Sequence, residues 1–314
     1  MLHSTAAASF ALVAPEDLAG TTLAGYTLQA RVGEGATAVV YRAAHSLHGI
    51  VAIKVLRARL RGDRTAVARF LREAEYATRV RHPNVVQTIE HCEARPGLHV
   101  IAIEWATGEL LELHAKRRAP LGREETALII GQIADAVDAA HQAGIIHRDL
   151  KPENVVYDAA LKRVKLLDFG IAAQADHGDI RYTRPNFFVG TLMYVSPESL
   201  SGERVTVAAD QYSLASIAYY LLSGCLPYLG RTQTDLYTQR LTKPPLPLGA
   251  AGSGARIDAG VEAVVMRGLE RDPGARFGTV LAFSTALRDA IAAIAGHEGR
   301  ATSGCSRSSS AHSR

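Results

Sequence analysis

The most informative segment of the chain is His147-Arg148-Asp149-Leu150-Lys151-Pro152-Glu153-Asn154, which follows a predicted helix that stops at Gly144. Asp149 and Asn154 are five residues apart in a loop and not on one helix face, so their side chains can converge on one oxygen-rich site. A carboxylate, the ammonium group of Lys151 and an amide at this spacing suit proton acceptance, charge neutralisation and binding of a divalent cation. The stretch therefore predicts a catalytic loop.

A second acidic motif follows at Asp168-Phe169-Gly170, nineteen residues after Asp149. It comes directly after the apolar run Val164–Leu167, which predicts a strand. A carboxylate at the end of a strand and next to glycine suits a hard cation that prefers oxygen ligands.

A glycine pair lies far upstream, in Gly33-Glu34-Gly35-Ala36-Thr37-Ala38-Val39-Val40-Tyr41. Glycines one residue apart between two predicted strands let backbone N–H groups approach a polyphosphate without obstruction by Cβ atoms. By itself this motif is equally compatible with an ordinary hairpin turn.

The next predicted strand, Val51-Ala52-Ile53-Lys54, ends in a lysine. Its ammonium group must reach water or an anion, because burying it unpaired costs several kcal/mol. Glu73 lies on the following helix, and a lysine and a glutamate that meet at a ligand site can position two phosphates. Glu75 fits better as a solvated carboxylate.

These four segments, in this order and spacing, resemble the signature set of protein kinases. From about residue 26 to about residue 292 the chain is similar to the eukaryotic-like serine/threonine kinases of bacteria. The resemblance implies an α+β protein-kinase-like fold of two lobes with a ligand cleft between them. The N-lobe is expected to be small and β-rich with one main helix, and the C-lobe larger and mainly helical.

The resemblance and the composition together divide the chain into three parts. We expect a flexible segment at 1–22, a kinase domain at 23–295 with its N-lobe at 23–106 and C-lobe at 107–295, and a disordered tail at 296–314. Periodicity predicts strands near 39–41, 51–55, 85–89 and 100–103, and helices near 124–143, 207–223, 261–270 and 279–295.

The resemblance also implies roles for the charged residues. Lys54 would pair with Glu73 and contact the α- and β-phosphates of ATP, and Asp149 would accept or orient the proton of the attacking hydroxyl. Asn154 and Asp168 would hold two Mg²⁺ ions, with Mn²⁺ as an alternative.

Lys151 occupies the position that serine/threonine kinases use near the γ-phosphate, which favours serine and threonine acceptors over tyrosine. In the nucleotide site, Ala52 and Val156 would enclose adenine, and the Glu104 carbonyl and Ala106 N–H would bond the base. The remaining residues expected around ATP belong to the glycine-rich loop: Val32, Gly33, Glu34, Gly35, Ala36, Thr37, Ala38, Val39 and Val40.

A regulatory site is expected in the segment that corresponds to an activation loop. Tyr182 and Thr183 carry its only hydroxyl groups between residues 171 and 190. We expect autophosphorylation at Thr183, with Arg148 binding the new charge. An unmodified, exposed threonine is the alternative.

Gly190-Thr191 followed by Ser196-Pro197-Glu198 resembles the substrate-binding end of this loop, and structural roles are implied for residues there. Thr191 would hydrogen-bond Asp149 and Lys151, and Glu198 would form a buried ion pair with Arg276. From the central helix, Asp210 would anchor the catalytic loop. Two positions depart from the family pattern, because Ala38 replaces the third loop glycine and Ser196 replaces the alanine of Ala-Pro-Glu.

Composition narrows the classes of function. The chain has 314 residues and a net charge of +4, half of it in the last eighteen residues, so nucleic-acid binding has little support. Three widely spaced cysteines favour a reducing compartment, and neither a membrane span nor a signal peptide is predicted. We expect a cytoplasmic signalling enzyme that acts on protein substrates; the oligomeric state stays open.

Two alternatives remain. A pseudokinase or ATP-binding scaffold usually loses the strand lysine or one of the two aspartates, all of which are present here. A small-molecule phosphotransferase of related fold lacks the Ser196-Pro197-Glu198 segment and its Arg276 partner. The basic stretch from 54 to 81 is expected to be a solvated face, with a docking surface as the second interpretation.

Overall fold

The computed structural model describes residues 17–168, 193–230, 232–251 and 257–305, with side chains up to residue 294. The chain divides into two compact units: residues 1–71 with 88–105, and residues 72–87 with 106–314. The segment 72–87, which lies inside the expected N-lobe at 23–106, is grouped with the second unit. Its Val80 and Val85 are buried in the core of that unit, which a linear boundary could not capture.

The first unit is built on a six-stranded antiparallel sheet in the order β1-β2-β3-β4-β6-β5. Its core is formed by alternate β-branched, aromatic and leucine side chains, as expected where one face of a sheet is buried. The strands are β1 (Thr22–Leu23), β2 (Tyr26–Glu34), β3 (Ala38–His45), β4 (Gly49–Leu56), β5 (Thr88–Arg95) and β6 (Leu98–Glu104).

The start of the packed chain lies earlier than the sequence predicts. Leu18 is buried in the core of the first unit, and its amide donates to the Tyr41 hydroxyl at 3.2 Å. The end of the expected flexible segment, residues 17–22, is thus held by tertiary contacts. The predicted strand at 85–89 also differs, since β5 begins at Thr88 and Val86 N instead donates to Leu166 O at 2.9 Å.

Helix α1 (Arg64–Ala77) begins at Asp63, whose side chain accepts the amides of Thr65 and Ala66 at 2.8 and 3.2 Å. Its apolar residues Val67, Phe70, Leu71 and Ala74 are spaced at helical intervals; Phe70 and Ala74 are buried, and the other two are half-buried.

The second unit is mainly helical. Its helices are α2 (Leu111–Arg118), α3 (Arg123–Gln142), α4 (Pro197–Ser201), α5 (Val207–Ser223), α6 (Gln233–Thr242), α7 (Ala259–Gly268) and α8 (Val280–Cys305). A small sheet, β7 (Glu109–Leu110), β8 (Val155–Asp158) and β9 (Arg163–Leu166), accompanies them in that order.

The core of this unit lies where α3, α5, α7 and α8 pack together. Helix α5 is buried on nearly all sides, as a helix that is apolar all round must be. It ends at Gly224, and Gly144 follows α3, both with positive φ (73° and 74°), so the predicted glycine stops are confirmed.

Helix α8 runs ten residues past its predicted end at 295, into part of the expected disordered tail. Extending an existing helix costs far less than starting one, and residues 296–305 contain no proline that would stop it. The last nine residues, 306–314, lie outside the described part of the chain.

Candidate active site

The catalytic loop leaves α3 and enters β8 with its apolar residues as anchors. Ile145, Leu150 and Val155 are each at most 1% exposed, so the main chain is fixed on both sides of Asp149. A short 3₁₀ turn at Pro152–Asn154 connects the loop to β8, and Asn154 N donates to Lys151 O at 3.0 Å. The polar side chains between these anchors are therefore presented from a rigid support.

The three polar residues predicted here are brought together around one carboxylate. Lys151 Nζ lies 2.9 Å from Asp149 Oδ1 and 2.8 Å from Oδ2. Asn154 Nδ2 donates to Asp149 Oδ2 at 3.0 Å and to the Asp149 main-chain carbonyl at 2.7 Å. A positive charge and a fixed amide thus hold the Asp149 side chain in one orientation.

The main chain of this loop is fastened from the central helix. Asp210 is fully buried, and its two oxygens accept the amides of His147 and Arg148, each at 2.8 Å. Arg148 has φ +64°, a strained conformation for a residue with a side chain, and the paired amides hold it there. The contact predicted between Asp210 and the catalytic loop is therefore present.

Asp210 has a further partner that sequence reasoning missed. His141 Nε2, on the last turn of α3, lies 2.7 Å from Asp210 Oδ2. Burial acts to raise the pKa of Asp210, but the hydrogen bonds with His141 and the Arg148 amide outweigh it and the pKa is lowered. A histidine in the last turn of a helix is common, so its sequence position carried no signal for this role.

His147 is also fully buried, and burial lowers its pKa because charging the ring there would cost desolvation. Its Nδ1 accepts the amide of Asp149 at 3.3 Å, which fits a neutral ring. The nearby carboxylates of Asp210, Asp149 and Asp168 oppose this shift without reversing it. The histidine is thus part of the loop's framework.

The two predicted metal ligands meet at one end of the β8–β9 hairpin. Asn154 precedes β8 and Asp168 follows β9, and antiparallel pairing of Val155 with Leu166 places these ends side by side. The main chain confirms this, since Leu167 N donates to Asn154 O at 2.8 Å.

The donor set fits a hard cation. Both hydrogen bonds of Asn154 Nδ2 go to Asp149, so the remaining amide atom, Oδ1, is an oxygen acceptor. Asp168, which follows the neighbouring strand, adds a half-buried carboxylate. Mg²⁺ is commonly held by one or two carboxylates together with substrate phosphates. Among the described residues there is no cluster of three or more His, Cys, Asp or Glu side chains that could hold a metal ion.

Glu198 and Arg276 form the predicted ion pair. Arg276 Nη1 donates to Glu198 Oε1 and Nη2 donates to Glu198 Oε2, each at 2.8 Å. Neither side chain is more than 4% exposed. Arg276 also donates to the carbonyls of Ala208, Glu270 and Arg271 at 2.7–3.0 Å. The expected buried ion pair is therefore present in the structure, with two parallel hydrogen bonds.

In the first unit, the sheet places the predicted nucleotide residues on one face. Lys54 is 8% exposed and pairs in register with Val40 on β3, and Ala52 pairs with Ile103 on β6. Because side chains alternate along a strand, Ala52 and Lys54 lie on the face opposite the core residues Val51, Ile53 and Val55. Lys54 belongs to the first unit and Glu73 to the second, so their pairing stays a prediction.

The glycine-rich loop joins β2 to β3, with Gly35 N donating to Ala38 O at 2.8 Å. Neither Gly33 nor Gly35 has a positive φ, and a Cβ at either position would meet only ordinary contacts, 3.7 Å away. The fold itself therefore does not require glycine at these two positions, which supports a ligand as the reason for them. Gly108 contrasts with them, since its φ is +108° and a Cβ would lie 2.4 Å from Tyr157 O.

The tip of this loop has contacts that the sequence did not predict. Arg57 Nε donates to Gly35 O and Arg59 Nη2 to Ala36 O, both at 2.7 Å, and Glu34 pairs with Arg57 and Arg31. Among the hinge residues, Glu104 ends β6 and is half-buried, as are Trp105 and Ala106. The Arg42 guanidinium lies 5.8 Å from the Trp105 ring, so Trp105 packs against an arginine of β3.

Several predicted residues lie outside the part of the chain that the structure describes. They are Phe169 and Gly170 of the acidic motif, Thr183, and Thr191. Within the described ranges, no helix is both long enough and apolar enough to cross a bilayer.

Comparison with known proteins agrees with this architecture. The protein kinase domain family matches residues 26–279. The serine/threonine-protein kinase pkn3 of Myxococcus xanthus is 36% identical over 87% of this chain, and Pkn1 of the same organism is 34% identical over 89%. The crystal structure of the Mycobacterium tuberculosis PknI kinase domain superposes with a TM-score of 0.65 at 32% identity, covering 87% of this chain and 98% of that one.

The chain belongs to the protein kinase family. Within it, the chain resembles the bacterial serine/threonine kinases, and the two-lobed kinase fold inferred from the motifs is confirmed. Its match spans 51% of pkn3 and 40% of Pkn1, so the chain covers about half or less of the curated relatives it matches.

Proposed function

We propose that this protein is an ATP-dependent serine/threonine protein kinase that transfers the γ-phosphoryl group to protein hydroxyls. The observation that carries the proposal is the Asp149 carboxylate, held by Lys151 and Asn154 next to the end of β9 where Asp168 lies. The names of the relatives support serine and threonine as acceptors. Lys151 supports the same choice through the family resemblance.

In the proposed reaction, a bond forms between the acceptor oxygen and the γ-phosphorus while the bond from that phosphorus to the β–γ bridging oxygen breaks. The bridging oxygen keeps the electron pair and leaves with ADP, and the hydroxyl proton passes to the Asp149 carboxylate. Lys151, 2.8 Å from that carboxylate, compensates negative charge as it develops on the transferred group. Because the Asp149 side chain is already oriented, little reorganisation accompanies the step.

Asn154 and Asp168 would hold the divalent cation, Mg²⁺ or Mn²⁺, through Oδ1 and the carboxylate. Such an ion supplies charge neutralisation for the phosphates. Lys54 and the glycine-rich loop would bind those phosphates, and Ala52 and Val156, 7% and 9% exposed, would contact the adenine. The half-buried hinge residues Glu104 and Ala106 would bond the base through their main chain.

Phosphoryl transfer from γ-labelled ATP tests the proposal. Wild-type protein with Mg²⁺ should label itself and a generic basic acceptor protein, and Asp149→Asn should lower the rate at least about a hundredfold. Asp135→Asn changes an exposed carboxylate on α3 and should leave the rate unchanged. ATP binding without transfer by the wild type would instead support the pseudokinase alternative.

We also propose that Thr183 is autophosphorylated and that Arg148 binds the phosphate. The strained main chain of Arg148 is held by Asp210, so its side chain leaves the loop in a defined direction. Phosphopeptide mapping of active enzyme should find the modification, and Thr183→Ala should lower activity while Tyr182→Phe should not. Full activity of Thr183→Ala would contradict the proposed autophosphorylation.

The three widely spaced cysteines support a reducing compartment, and so a cytoplasmic location for this protein.

A further inference from the structure

The segment before α4 has an unusual hydrogen-bonding arrangement. Its three successive carbonyls, of Met193, Tyr194 and Val195, belong to no α-helix or strand, yet each accepts a bond from a side chain. Arg240 Nη2 donates to Met193 O at 2.7 Å and Nη1 to Val195 O at 2.5 Å. Ser213 Oγ donates to Tyr194 O at 2.8 Å. Two helices, α6 and α5, thus hold this segment through its main chain.

Arg240 is built into the protein interior for this contact. It lies one helical turn after the buried Leu236 on α6 and is only 2% exposed. Its guanidinium lies 5.4 Å from the Tyr228 ring and 5.9 Å from the Tyr212 ring. Burying a guanidinium is costly, and aromatic faces and a planar fork of donors are what offset that cost. A lysine at this position could not bond both carbonyls with the same geometry.

The same short segment is held at its other end by a second arginine. Arg276 grips Glu198, and its guanidinium lies 4.9 Å from the Tyr212 ring. Residues 193–198 are therefore fixed from three sides: by Arg240, by Ser213 and by Arg276. The hydrogen bonds that orient Asp149 come from the catalytic loop itself and not from this segment.

We propose that Arg240 is a positioning residue for the protein substrate: by holding the carbonyls of 193 and 195, it shapes the surface that receives the acceptor segment. This inference rests on the proposed kinase function, because the resemblance places Ser196-Pro197-Glu198 at the substrate-binding end of the activation loop. The bonds and ring contacts of Arg240 described above involve neither the nucleotide residues nor the catalytic carboxylate. Its loss should therefore weaken acceptor binding and leave ATP binding and the chemical step intact.

Steady-state kinetics of Arg240→Lys tests this. Losing one of the two carbonyl bonds should raise the KM for an acceptor peptide roughly threefold to tenfold. The KM for ATP and the kcat should stay within about twofold of wild type, because neither depends on the segment. Ser213→Ala, a smaller change, should raise the peptide KM in the same direction by less.

Arg271→Lys is the matched control. Arg271 also donates to a main-chain carbonyl, that of Lys243 just after α6, at 3.2 Å, but it is exposed and does not contact 193–195 through that bond. It should leave the peptide KM unchanged. An unchanged peptide KM in both Arg240→Lys and Ser213→Ala, or equal rises in the peptide and ATP KM values, would overturn the inference.

Hydrogen exchange separates this inference from the proposed function, because it needs no catalysis. Amides of 193–199 should exchange faster in Arg240→Lys than in wild type or Arg271→Lys, and exchange in the catalytic loop should be unaltered. If the wild type transfers no phosphate, the kinase proposal fails on its own. Unaltered exchange in 193–199 would then overturn the role of Arg240 as well.

Discussion

At the level of single residues, the Glu198–Arg276 pair shows how burial changes the value of a charge. An exposed ion pair contributes at most about 1 kcal/mol, since water screens it. Here both side chains are at most 4% exposed, so each charge depends on the other and on the carbonyls around Arg276. In the folded protein, attraction between the two ions offsets the free energy lost on desolvating them. Removing one partner leaves the other as a buried charge without that compensation.

Removing one partner of that pair should therefore destabilise the protein strongly. Arg276→Met is expected to lower the free energy of unfolding by about 3–5 kcal/mol. Arg288→Met, which removes an exposed arginine on α8, should change it by less than about 0.5 kcal/mol. Denaturant unfolding of the two variants measures the difference, and equal losses would contradict the argument.

His147 gives a pH dependence with a definite sign. Burial lowers its pKa in the folded state, whereas in the unfolded chain it titrates near its ordinary value of 6.5. As the pH falls below about 6.5, His147 binds a proton in the unfolded chain but stays neutral in the folded one. Acidification therefore lowers the free energy of unfolding. Above about pH 6.5 His147 is neutral in both states, so it no longer lowers the free energy of unfolding.

The comparison of wild type with His147→Gln isolates this effect. Thermal unfolding between about pH 5 and 8 should show a smaller pH dependence in the variant than in wild type. His91→Gln, at an exposed position on β5, should keep the wild-type dependence. Identical pH profiles for wild type and His147→Gln would be inconsistent with a buried, neutral histidine.

At the level of elements, the helices of the second unit approach one another at glycine. Gly268 ends α7, and a Cβ there would lie 2.7 Å from the Ala215 side chain on α5 and 2.9 Å from Phe283 on α8. Gly131, inside α3, has nothing within 4 Å of its Cβ direction. The two glycines look alike in sequence, but only Gly268 is needed for packing.

Alanine at these two positions should have opposite effects. Gly268→Ala overpacks the contact with α5 and should cost about 1–3 kcal/mol of stability. Gly131→Ala should stabilise by up to about 1 kcal/mol, because alanine favours the helix and meets no neighbour. Urea unfolding of both variants provides the measurement, and a destabilised Gly131→Ala would show that α3 is packed more tightly there.

At the level of the whole molecule, the residues that the family resemblance assigns to ATP and its metal occur in both units. Lys54 comes from the first, and Asn154 and Asp168 come from the second. A ligand that binds only the folded state raises the free energy of unfolding by about 2.7 kcal/mol when its free concentration is about a hundred times its Kd. If ATP binds as proposed, the rise in thermal stability that it causes should depend on residues of each unit.

Thermal shift with Mg²⁺-ATP tests this. The wild type should be stabilised, and both Lys54→Met and Asp168→Asn should lose most of the shift, although they change different units. Lys116→Met, which changes an exposed lysine on α2 that is not assigned to the nucleotide, should keep it. A full shift in Lys54→Met would remove the first unit's lysine from the nucleotide site.

From the residues alone came the family, the two-lobed fold class, several of the strands and helices, and the polar cluster of Asp149, Lys151 and Asn154 that we propose as catalytic. These features can be predicted from the spacing of residues and from glycines at helix C-termini, because helix caps and loop motifs depend on residues that are close in sequence. Three contacts became visible in the folded chain alone: His141 bonds Asp210, Leu18 is buried in the core of the first unit, and Arg240 donates to the carbonyls of 193 and 195. These contacts join residues 23 to 69 positions apart, and no local pattern encodes which distant partner will satisfy a buried polar group.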